Sequence, residues 1–428
     1  MGVLSDAKLG LKVVRDLLAG RSVRSRLAGQ LAERGPLPGR RFEIGVYFAD
    51  GAVNLYQMRQ WYAPLAELDR THPVVVLSRS PDGASALLEE SPVPVAYVRK
   101  VKDLEDFFEE HELKIVLYVN QNARNFQMMR YGRRWHVFIN HGESDKMYMT
   151  TNQFKAYDYS FVAGDAAIAR LERVLWDYDF DKRAIPIGRP QADHYTGLTP
   201  YQPDERTVVL YAPTWEGDRS AAAYGSVATH GVALVNDVLA SPLHRLIYRP
   251  HPRSGVLDPA YGAANRAIVA AIAAANRADP TAQHVYDTGA ELGWQLAAAD
   301  VAIVDISAMV YDRLATGKPL LITRPVAEDA QIDTGGYLSD CEWLLASEAG
   351  SVRDRIDQVS HDSAAGVRLG RWVRHYFGDT TPGTATRRFH EAIEKLLAEW
   401  TRNAALHARD EPVDVHQMHG AEERDDLG

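Results

Sequence analysis

The sequence contains a single cysteine, Cys341, among its 428 residues. One cysteine excludes an intramolecular disulfide and any cysteine-based metal cluster, and it makes a reducing cytoplasm the simplest compartment. No apolar run approaches the length of about 18 residues that a membrane-spanning helix needs, and the first residues lack the apolar core of a signal peptide. The sequence therefore predicts a cytoplasmic protein that does not span a membrane.

Three familiar site motifs are also missing. GxGxxG does not follow the first predicted strand of either half, and neither GxxxxGK[ST] nor GxSxG occurs. These absences weaken dinucleotide-binding, Walker-type and α/β-hydrolase interpretations. The net charge of -9 argues against a dedicated nucleic-acid binder. Because no carboxylate cluster shows metal-ligand spacing, neither a metal ion nor another cofactor is expected.

Short apolar runs, rich in β-branched residues, alternate with helical patterns along most of the chain. This alternation predicts parallel sheets covered by helices on both faces. A break near Leu198–Arg206 separates two series of similar size, predicted as domains over residues 41–200 and 201–385. The predicted strands cover residues 42–48, 74–77, 93–97, 115–119, 135–139, 159–163 and 184–187, then 208–211, 245–248, 284–286, 301–304 and 320–323.

The two ends of the chain differ from this pattern. Residues 1–40 are basic, and Leu4, Leu11 and Leu18 fall on one helical face, before a Pro/Gly linker. Such a segment can lie on an anionic lipid surface or pack on its own protein, and both alternatives stay open. At the other end, residues 386–400 predict a closing amphipathic helix, and the acidic tail 401–428 is predicted to be disordered.

Val301–Ile322 predicts a strand–turn–helix–strand unit that holds a carboxylate and a hydroxyl in its turn. The strand ends before Asp305, and a helix is expected to begin near Ser307 and to end at Gly317. The start of such a helix favours anions, because its first backbone N–H groups lack partners. An Asp/Ser helix cap in an ordinary α/β domain is the structural alternative.

A second loop of interest is HGESDK, which follows the predicted strand at 135–139. A histidine freed by the neighbouring glycine, His141, can act as a base near neutral pH. Lys146 can add positive charge for a phosphate. The alternative is a loop histidine whose ring is satisfied by local hydrogen bonds.

Two more loops follow strands of the second half. In APTWEG, proline and glycine suit a rigid turn that places Thr214 and Trp215 at the end of the sheet. In RPHPR, two prolines hold the chain extended, so that Arg249, His251 and Arg253 can clamp phosphate oxygens. The alternatives are a plain loop with a core tryptophan and a basic surface turn. Ligands of such sheets bind at the carboxyl ends of the strands, where these loops lie.

Together and in this order, the four loops resemble those of the CDP-glycerol glycerophosphotransferases, the primases and polymerases of teichoic acid synthesis. That family has an HGTPLK-like loop, a YAPTWR-like loop, R-x-HP, and a TDYSS-like turn whose helix ends before KP. This sequence has HGESDK, LYAPTWEG, YRPHP and VDISAMVYDRLATGKP, and a late D-G-x-x-x-x-R element is echoed at 378–388. The resemblance covers roughly Trp135 to Arg388. This sequence departs from the family pattern at Glu143, Glu216 and Ile306.

The resemblance implies a GT-B architecture of two Rossmann-like domains facing across a cleft. It implies transfer of a polyol phosphate, foremost glycerol phosphate, from a CDP-activated donor to a hydroxyl of a cell-wall or capsule polymer or its lipid-linked precursor, with release of CMP at the inner membrane face. His141 would be the catalytic base, and Asp287 would contact the ribose or the nucleobase of the donor. The implied set comprises catalytic His141 and His251, and donor-binding Lys146, Thr214, Trp215, Arg249, Arg253, Asp287, Asp305 and Ser307.

Two other functions remain open at this point. A GT-B glycosyltransferase or nucleotide-sugar epimerase that uses a UDP-sugar would share the architecture and the position of the site. A catalytically inactive scaffold at the membrane is the other alternative, favoured by the acidic residues Glu143 and Glu216 at positions where the family has other residues. The sequence leaves open the polyol, the acceptor, the number of units added and the oligomeric state.

Overall fold

Two parallel β-sheets organise the chain, and the computed structural model describes residues 20–143, 151–289, 292–332 and 335–408. The strands of the first sheet are β1 Ile44–Phe48, β2 Val74–Ser78, β3 Val95–Tyr97, β4 Ile115–Tyr118, β5 Trp135–Phe138, β6 Tyr159–Val162 and β7 Ala184–Pro186. Those of the second are β8 Thr207–Ala212, β9 His244–Tyr248, β10 Val285–Tyr286, β11 Val301–Val304, β12 Leu320–Thr323 and β13 Trp343–Leu344.

The strand orders are β3-β2-β1-β4-β5-β6-β7 and β10-β9-β8-β11-β12-β13, with all pairings parallel. Parallel pairing requires crossover helices between the strands. The helices are α1 over residues 20–34, α2 Tyr56–Arg59, α3 Tyr62–Leu68, α4 Pro81–Glu90, α5 Val101–Glu110, α6 Asn125–Met129, α7 Asp165–Glu172, α8 Phe180–Arg183, α9 Pro190–Asp193, α10 Val232–Leu239, α11 Pro259–Ala278, α12 Trp294–Ala298, α13 Ala308–Leu314, α14 Val352–His361, α15 Ser363–Phe377 and α16 Thr384–Leu406.

Both faces of each sheet are buried, which explains why the strands are continuous apolar runs. In β2 successive side chains alternate between two core clusters. Val74 and Val76 belong to one cluster, and Val75 and Leu77 belong to the other, beside Tyr47 and Tyr131. This alternation fixes the direction of the side chains that follow the strand.

The β11–α13–β12 unit forms where the sequence predicts it. The hydroxyl oxygen of Ser307 accepts a hydrogen bond from the backbone N–H of Met309 at 3.3 Å and so caps α13. Gly317 adopts a φ of 66°, a left-handed conformation that favours glycine. Lys318 donates its ammonium to the carbonyl of Ala297 at 2.6 Å. The unit thus presents Asp305 and Ser307 at the carboxyl end of β11.

The last helix, α16, returns to the first half of the chain. Its buried residues Phe389, Ile393 and Leu396 join the core cluster of the first sheet. The indole N–H of Trp135 donates to the carbonyl of Leu396 at 3.0 Å. The disorder predicted past Thr401 is wrong for residues 401–406, because α16 extends to Leu406. The remaining tail, 409–428, lies outside the described residues.

Helix α1 packs on its own protein over its described part. Leu27 is buried, and Gln30 donates to the carbonyl of Ser85 at 3.2 Å and to Glu89 at 2.8 Å. The packing alternative therefore holds for residues 20–34, while residues 1–19 of the basic segment lie outside the described range. No helix within the described residues is long and apolar enough to cross a membrane.

The sequence predicts one helix over Asn54–Leu68, between β1 and β2, but the structure has two shorter helices there. A 3-10 turn at Ala52–Asn54 precedes α2 and α3, and Pro64 lies in the first turn of α3. Proline is tolerated in a first turn but removes a hydrogen bond from a helix interior, so a continuous helix is disfavoured there.

Candidate active site

His141 lies at the carboxyl end of β5, with its ring partly buried. Its Nδ1 is 2.9 Å from the carbonyl oxygen of Val119. A carbonyl oxygen only accepts hydrogen bonds, so in the neutral ring Nδ1 carries the proton and Nε2 keeps its lone pair. Tyr56 contacts the ring edge-to-face, with ring centroids 5.8 Å apart. The ring therefore presents an unprotonated Nε2, which can accept a proton.

The surroundings of His141 keep the ring neutral. Burial lowers its pKa below the ordinary value, the positive charge of Arg189 lowers it further, and the hydrogen bond to Val119 acts in the opposite direction. A neutral imidazole is the form that can accept a proton.

A polar pocket of about 280 Å³ opens beside His141 at the ends of β1, β4 and β5. The side-chain amide of Asn120 donates to Asp50 and to Gln57, each at 2.7 Å. These groups offer both donors and acceptors, which suits a ligand rich in hydroxyls. The sequence analysis missed Asp50 and Gln57, although Asp50 directly follows a predicted strand. The pocket is lined by Asp50, Gln57, Asn120, Gln121, Asn122, Phe138, Asn140 and His141.

Asp305 joins the loops of the second sheet and has no exposed surface. Its carboxylate accepts hydrogen bonds from the backbone N–H of Thr214 at 2.7 Å and of Ser226 at 3.0 Å, and from the hydroxyl of Thr323. Burial raises the pKa of Asp305 to about 6, although these hydrogen bonds oppose the rise. The side chain thus holds the loops after β8, β11 and β12 together.

Trp215, His251 and Arg253 form a second contact group. The guanidinium of Arg253 lies over the indole of Trp215, 3.8 Å from the ring centroid, and the His251 ring is 6.5 Å from it. Nδ1 of His251 accepts the backbone N–H of Arg253 at 3.1 Å, so in the neutral ring Nε2 carries the proton. Burial lowers the pKa of His251 and Arg253 lowers it further. His251 is therefore poised to donate a hydrogen bond.

Arg249 and Asp287 form an ion pair with each other. Asp287 also accepts the side-chain amide of Gln295 at 2.6 Å and the backbone N–H of Gly289 at 2.9 Å. The structure thus joins two residues that the sequence analysis assigned separately to the diphosphate and to the ribose or base. In this conformation the carboxylate of Asp287 neutralises the positive charge of Arg249.

The two acidic departures from the family pattern have structural partners. Glu143 pairs with Arg170 of α7 at 2.6 Å, with both side chains largely buried. Glu216 accepts three backbone N–H groups, from Gly255 at 2.9 Å, Leu257 at 2.7 Å and Asp258 at 3.1 Å. Burial acts to raise the pKa of Glu216, but these hydrogen bonds outweigh it and lower the pKa. Glu216 thus fixes the loop that follows Arg253.

A buried ion pair connects the two halves beside these groups. Arg189, which follows β7, pairs with Asp312 of α13 and donates its Nε to the hydroxyl of Tyr195 at 3.2 Å. A Cβ built on Gly142 would lie 3.9 Å from Nη1 of Arg189. Arg189 therefore links the loop of His141 with the helix that Ser307 caps. The sequence analysis missed it, although Gly188-Arg189-Pro190 ends a predicted strand.

The predicted site residues therefore lie in two places, His141 in the first half of the chain and the donor-binding loops in the second half. Thr214, Asp305 and Ser307 are connected directly, since the hydroxyl of Ser307 also donates to the carbonyl of Asp305 at 3.2 Å. The hydrogen bonds and ring contacts of His141 lie in the first half, as far as the described residues go. Lys146 lies outside the described residues. Within those residues, no group of three or more His, Cys, Asp or Glu side chains is arranged to hold a metal ion.

Comparison with known proteins places this geometry in context. A family model described as CDP-Glycerol:Poly(glycerophosphate) glycerophosphotransferase matches residues 136–395. The solved structure of the wall teichoic acid polymerase TagF superposes with a TM-score of 0.54 at 13% identity, over 93% of this chain and 99% of that chain. A putative UDP-N-acetylglucosamine 2-epimerase from Listeria monocytogenes superposes with a TM-score of 0.54 at 12% identity, over 84% of this chain and 98% of that chain.

At these identities the two structural similarities concern the fold alone, and the predicted α/β, GT-B-like fold is confirmed. A search of curated protein sequences finds no match to this chain.

Proposed function

We propose a function from one premise: this chain belongs to the CDP-glycerol:poly(glycerophosphate) glycerophosphotransferase family. It is a transferase of that type. The finer proposal is that it moves a polyol phosphate, glycerol phosphate in the first place, from a CDP-activated donor to a hydroxyl of a cell-wall or capsule polymer or its lipid-linked precursor. CMP is the leaving group.

His141 is proposed to take the proton of the acceptor hydroxyl. The hydroxyl oxygen attacks the phosphorus that carries the polyol, a new P–O bond forms, and the P–O bond to the CMP phosphate breaks. The proton passes to Nε2 of His141, and the bond electrons leave with CMP. The observation that carries this role is the 2.9 Å hydrogen bond between Nδ1 and the carbonyl of Val119, which leaves Nε2 free to accept a proton.

The loops of the second sheet are proposed to hold the donor. His251, with its proton on Nε2, and the exposed Arg253 are suited to contact the diphosphate, which acidic residues would repel. Trp215 supports Arg253 through its ring face. Ser307 and Lys146 remain candidates for the leaving phosphate. Positioning and charge stabilisation supply most of the rate in such transfers.

Three other proposed donor residues, Asp305, Arg249 and Asp287, are already bound to groups of the protein in this arrangement. Asp305 is fully buried, so it positions Thr214 instead of contacting the donor. Arg249 can contact a phosphate only if its ion pair with Asp287 opens or is shared with that phosphate. Asp287 can contact the ribose or the cytosine of the donor only when the same ion pair rearranges. Donor binding would therefore rearrange this ion pair.

The test is CMP release from CDP-glycerol with an added acceptor. His141→Ala should lower the rate by about 10²–10⁴-fold, the usual contribution of general base catalysis. His361→Ala, at an exposed histidine of α14, is the matched control and should keep wild-type activity. Thermal unfolding of both variants verifies the fold. Activity of a folded His141→Ala protein near that of the wild type would remove the proposed base.

The same protein distinguishes the alternatives. Stabilisation by a UDP-sugar, but not by CDP-glycerol, would favour the glycosyltransferase or epimerase, and failure to bind any CDP ligand would favour the inactive scaffold. The two acidic residues that favour the scaffold in the sequence have structural roles in the fold, since Glu143 pairs with Arg170 and Glu216 fixes a loop.

A further inference from the structure

Arg79 directly follows β2 at the carboxyl edge of the first sheet, and it is only 7% exposed. Two of its guanidinium nitrogens, Nε and Nη1, are buried and have no hydrogen-bond partner among the described residues. A buried charge without a partner is costly, and buried arginines are normally paired with anions. An anion that the described chain does not supply would complete this group.

A second unpartnered donor lies on the same face. Because side chains alternate along β2, Arg79 continues the face of Val75 and Leu77, which belong to the core cluster that contains Tyr131. The hydroxyl of Tyr131 is also buried without a hydrogen-bond partner among the described residues. Burial raises the pKa of Tyr131 to about 12, so this hydroxyl keeps its proton, and the nearby charge of Arg79 acts against the rise.

The local charge around these donors is predominantly positive. Arg124 and Arg130 act with Arg79 to lower the pKa of the neighbouring Tyr47, against the larger effect of burial, which raises it. Arg124 donates its Nη1 to the carbonyl of Ala49 at 3.5 Å. The nearby carboxylates are those of Glu105, beside Tyr131, and Asp103, beside Tyr97. Arg134 also lies near Tyr131, and Arg24 and Arg99 lie near Tyr97, so arginines outnumber these carboxylates and the local field is positive.

Arg79 lies at the same edge of the first sheet as His141, because each residue follows the carboxyl end of its strand. Three strand spacings separate β2 from β5 in the order β2-β1-β4-β5, which corresponds to about 14 Å. The pocket lined by Asp50 and Asn120 lies at the ends of the two strands between them. An acceptor polymer whose terminal hydroxyl lies at His141 would run along this edge of the sheet towards Arg79.

We infer that Arg79 and Tyr131 bind a phosphate group of the acceptor. This inference rests on the proposed function, since it takes the acceptor hydroxyl to lie at His141. The ligand is a phosphate ester that carries a polyol, held by charge-assisted hydrogen bonds from the guanidinium and one from the phenol. The site would select acceptors that already bear a phosphodiester over neutral polyols.

The first experiment measures binding of glycerol 3-phosphate and of glycerol by calorimetry and thermal unfolding. The wild type should bind glycerol 3-phosphate, and Arg79→Gln should weaken binding about tenfold or more, as expected for the loss of charged hydrogen bonds. Arg173→Gln removes an exposed arginine of the same half and should change nothing. The inference would be overturned if Arg79→Gln bound glycerol 3-phosphate as tightly as the wild type does. It would also be overturned if Arg173→Gln lost as much affinity as Arg79→Gln, or if the wild type bound glycerol as tightly as glycerol 3-phosphate.

A stability measurement separates a ligand site from a structural arginine. Removing an unpaired buried charge should leave the ligand-free protein at least as stable, so Arg79→Gln and Arg79→Met should unfold at or above the wild-type temperature. Loss of the fold in both variants would mean that Arg79 has an internal structural role, and the inference would be wrong.

Kinetics then test the link to transfer. With a phosphate-bearing acceptor, Arg79→Gln should raise the acceptor KM about tenfold or more and leave the KM for CDP-glycerol unchanged. The KM for a neutral polyol acceptor should also stay unchanged. An equal rise for both acceptors would overturn the inference. If the wild type transfers nothing, the proposed function fails, and the binding experiment still decides whether Arg79 holds a phosphate.

Discussion

A single hydrogen bond determines the proposed chemistry of His141. The carbonyl of Val119 fixes the proton on Nδ1, and burial keeps the ring from gaining a second proton near neutral pH. The same ring in an exposed loop would sample both tautomers. The reactivity of this residue thus depends on a main-chain atom at the end of the neighbouring strand β4.

The pH dependence of kcat/KM should reflect this environment. Burial lowers the pKa of His141 from its usual value, so the base is neutral above that lowered pKa and is lost by protonation as the pH falls through it. We expect the acid limb of the profile to have its midpoint below pH 6.5 and a plateau near neutrality. Thermal unfolding over the same pH range excludes denaturation. A midpoint above 6.5 would contradict the assignment.

At the scale of elements, α16 is the clearest case of a helix that serves a distant part of the chain. Phe389 is fully buried, with its ring centroid 5.3 Å from that of Trp61 and 6.1 Å from that of Phe161. The first half therefore depends on a residue from the last part of the sequence for its core.

Phe389→Ala should destabilise the protein by about 3–5 kcal/mol, the usual cost of such a truncation in a core. Hydrogen exchange should become faster in the strands of the first sheet before those of the second. Leu406→Ala, at an exposed position of the same helix, should have little effect. Preferential loosening of the second sheet would contradict this packing.

The elements with a strong local pattern were predictable from the sequence. Val301–Val304 and Leu320–Thr323 are strands at the predicted positions, and Ser307 is the cap of α13. Apolar β-branched runs and a capping residue carry this information locally. The division of residues 54–68 into α2 and α3 was not predicted, and neither were the second-half helices α14 and α15. Charged residues obscure the apolar stripe of α14, and Gly366 and Gly370 weaken the helical pattern of α15.

The composition of the site was predictable only in part. The residue types after β5, β8, β9 and β11 indicated the loops, because a parallel sheet gathers such residues at one edge. The hydrogen-bond and ion-pair partners of these loop residues could not be predicted from the sequence. The pairing of Arg249 with Asp287 and the burial of Asp305 depend on contacts between separate loops. Arg79 was missed because a single arginine after a strand carries no local signal.

At the scale of the whole molecule, the two halves meet through buried groups as well as through a linker. The ion pair of Arg189 with Asp312 crosses between them, and Gly164 lies close to α15, where a Cβ would come within 2.7 Å of the carbonyl of Tyr376. Relative motion of the halves would have to preserve or break these contacts.

We propose that residues 1–19 bring the whole molecule to an anionic membrane surface. A variant without residues 1–19 keeps the contacts of Leu27 and Gln30 and should sediment less with anionic vesicles than the full chain. Replacing Lys8, Lys12 and Arg15 by glutamine should give a similar loss, roughly 1 kcal/mol per basic residue. Unchanged sedimentation of both variants would mean that these residues do not bind lipid.

The return of α16 has a consequence for synthesis of the protein. The ribosome makes the strands of the first sheet long before it makes Phe389, Ile393 and Leu396, so the surface that these residues cover stays open while the second half is translated. A nascent chain stalled before residue 384 would expose that apolar groove to chaperones and to other chains. Folding of the first half is therefore completed only after the second half and α16 have been translated.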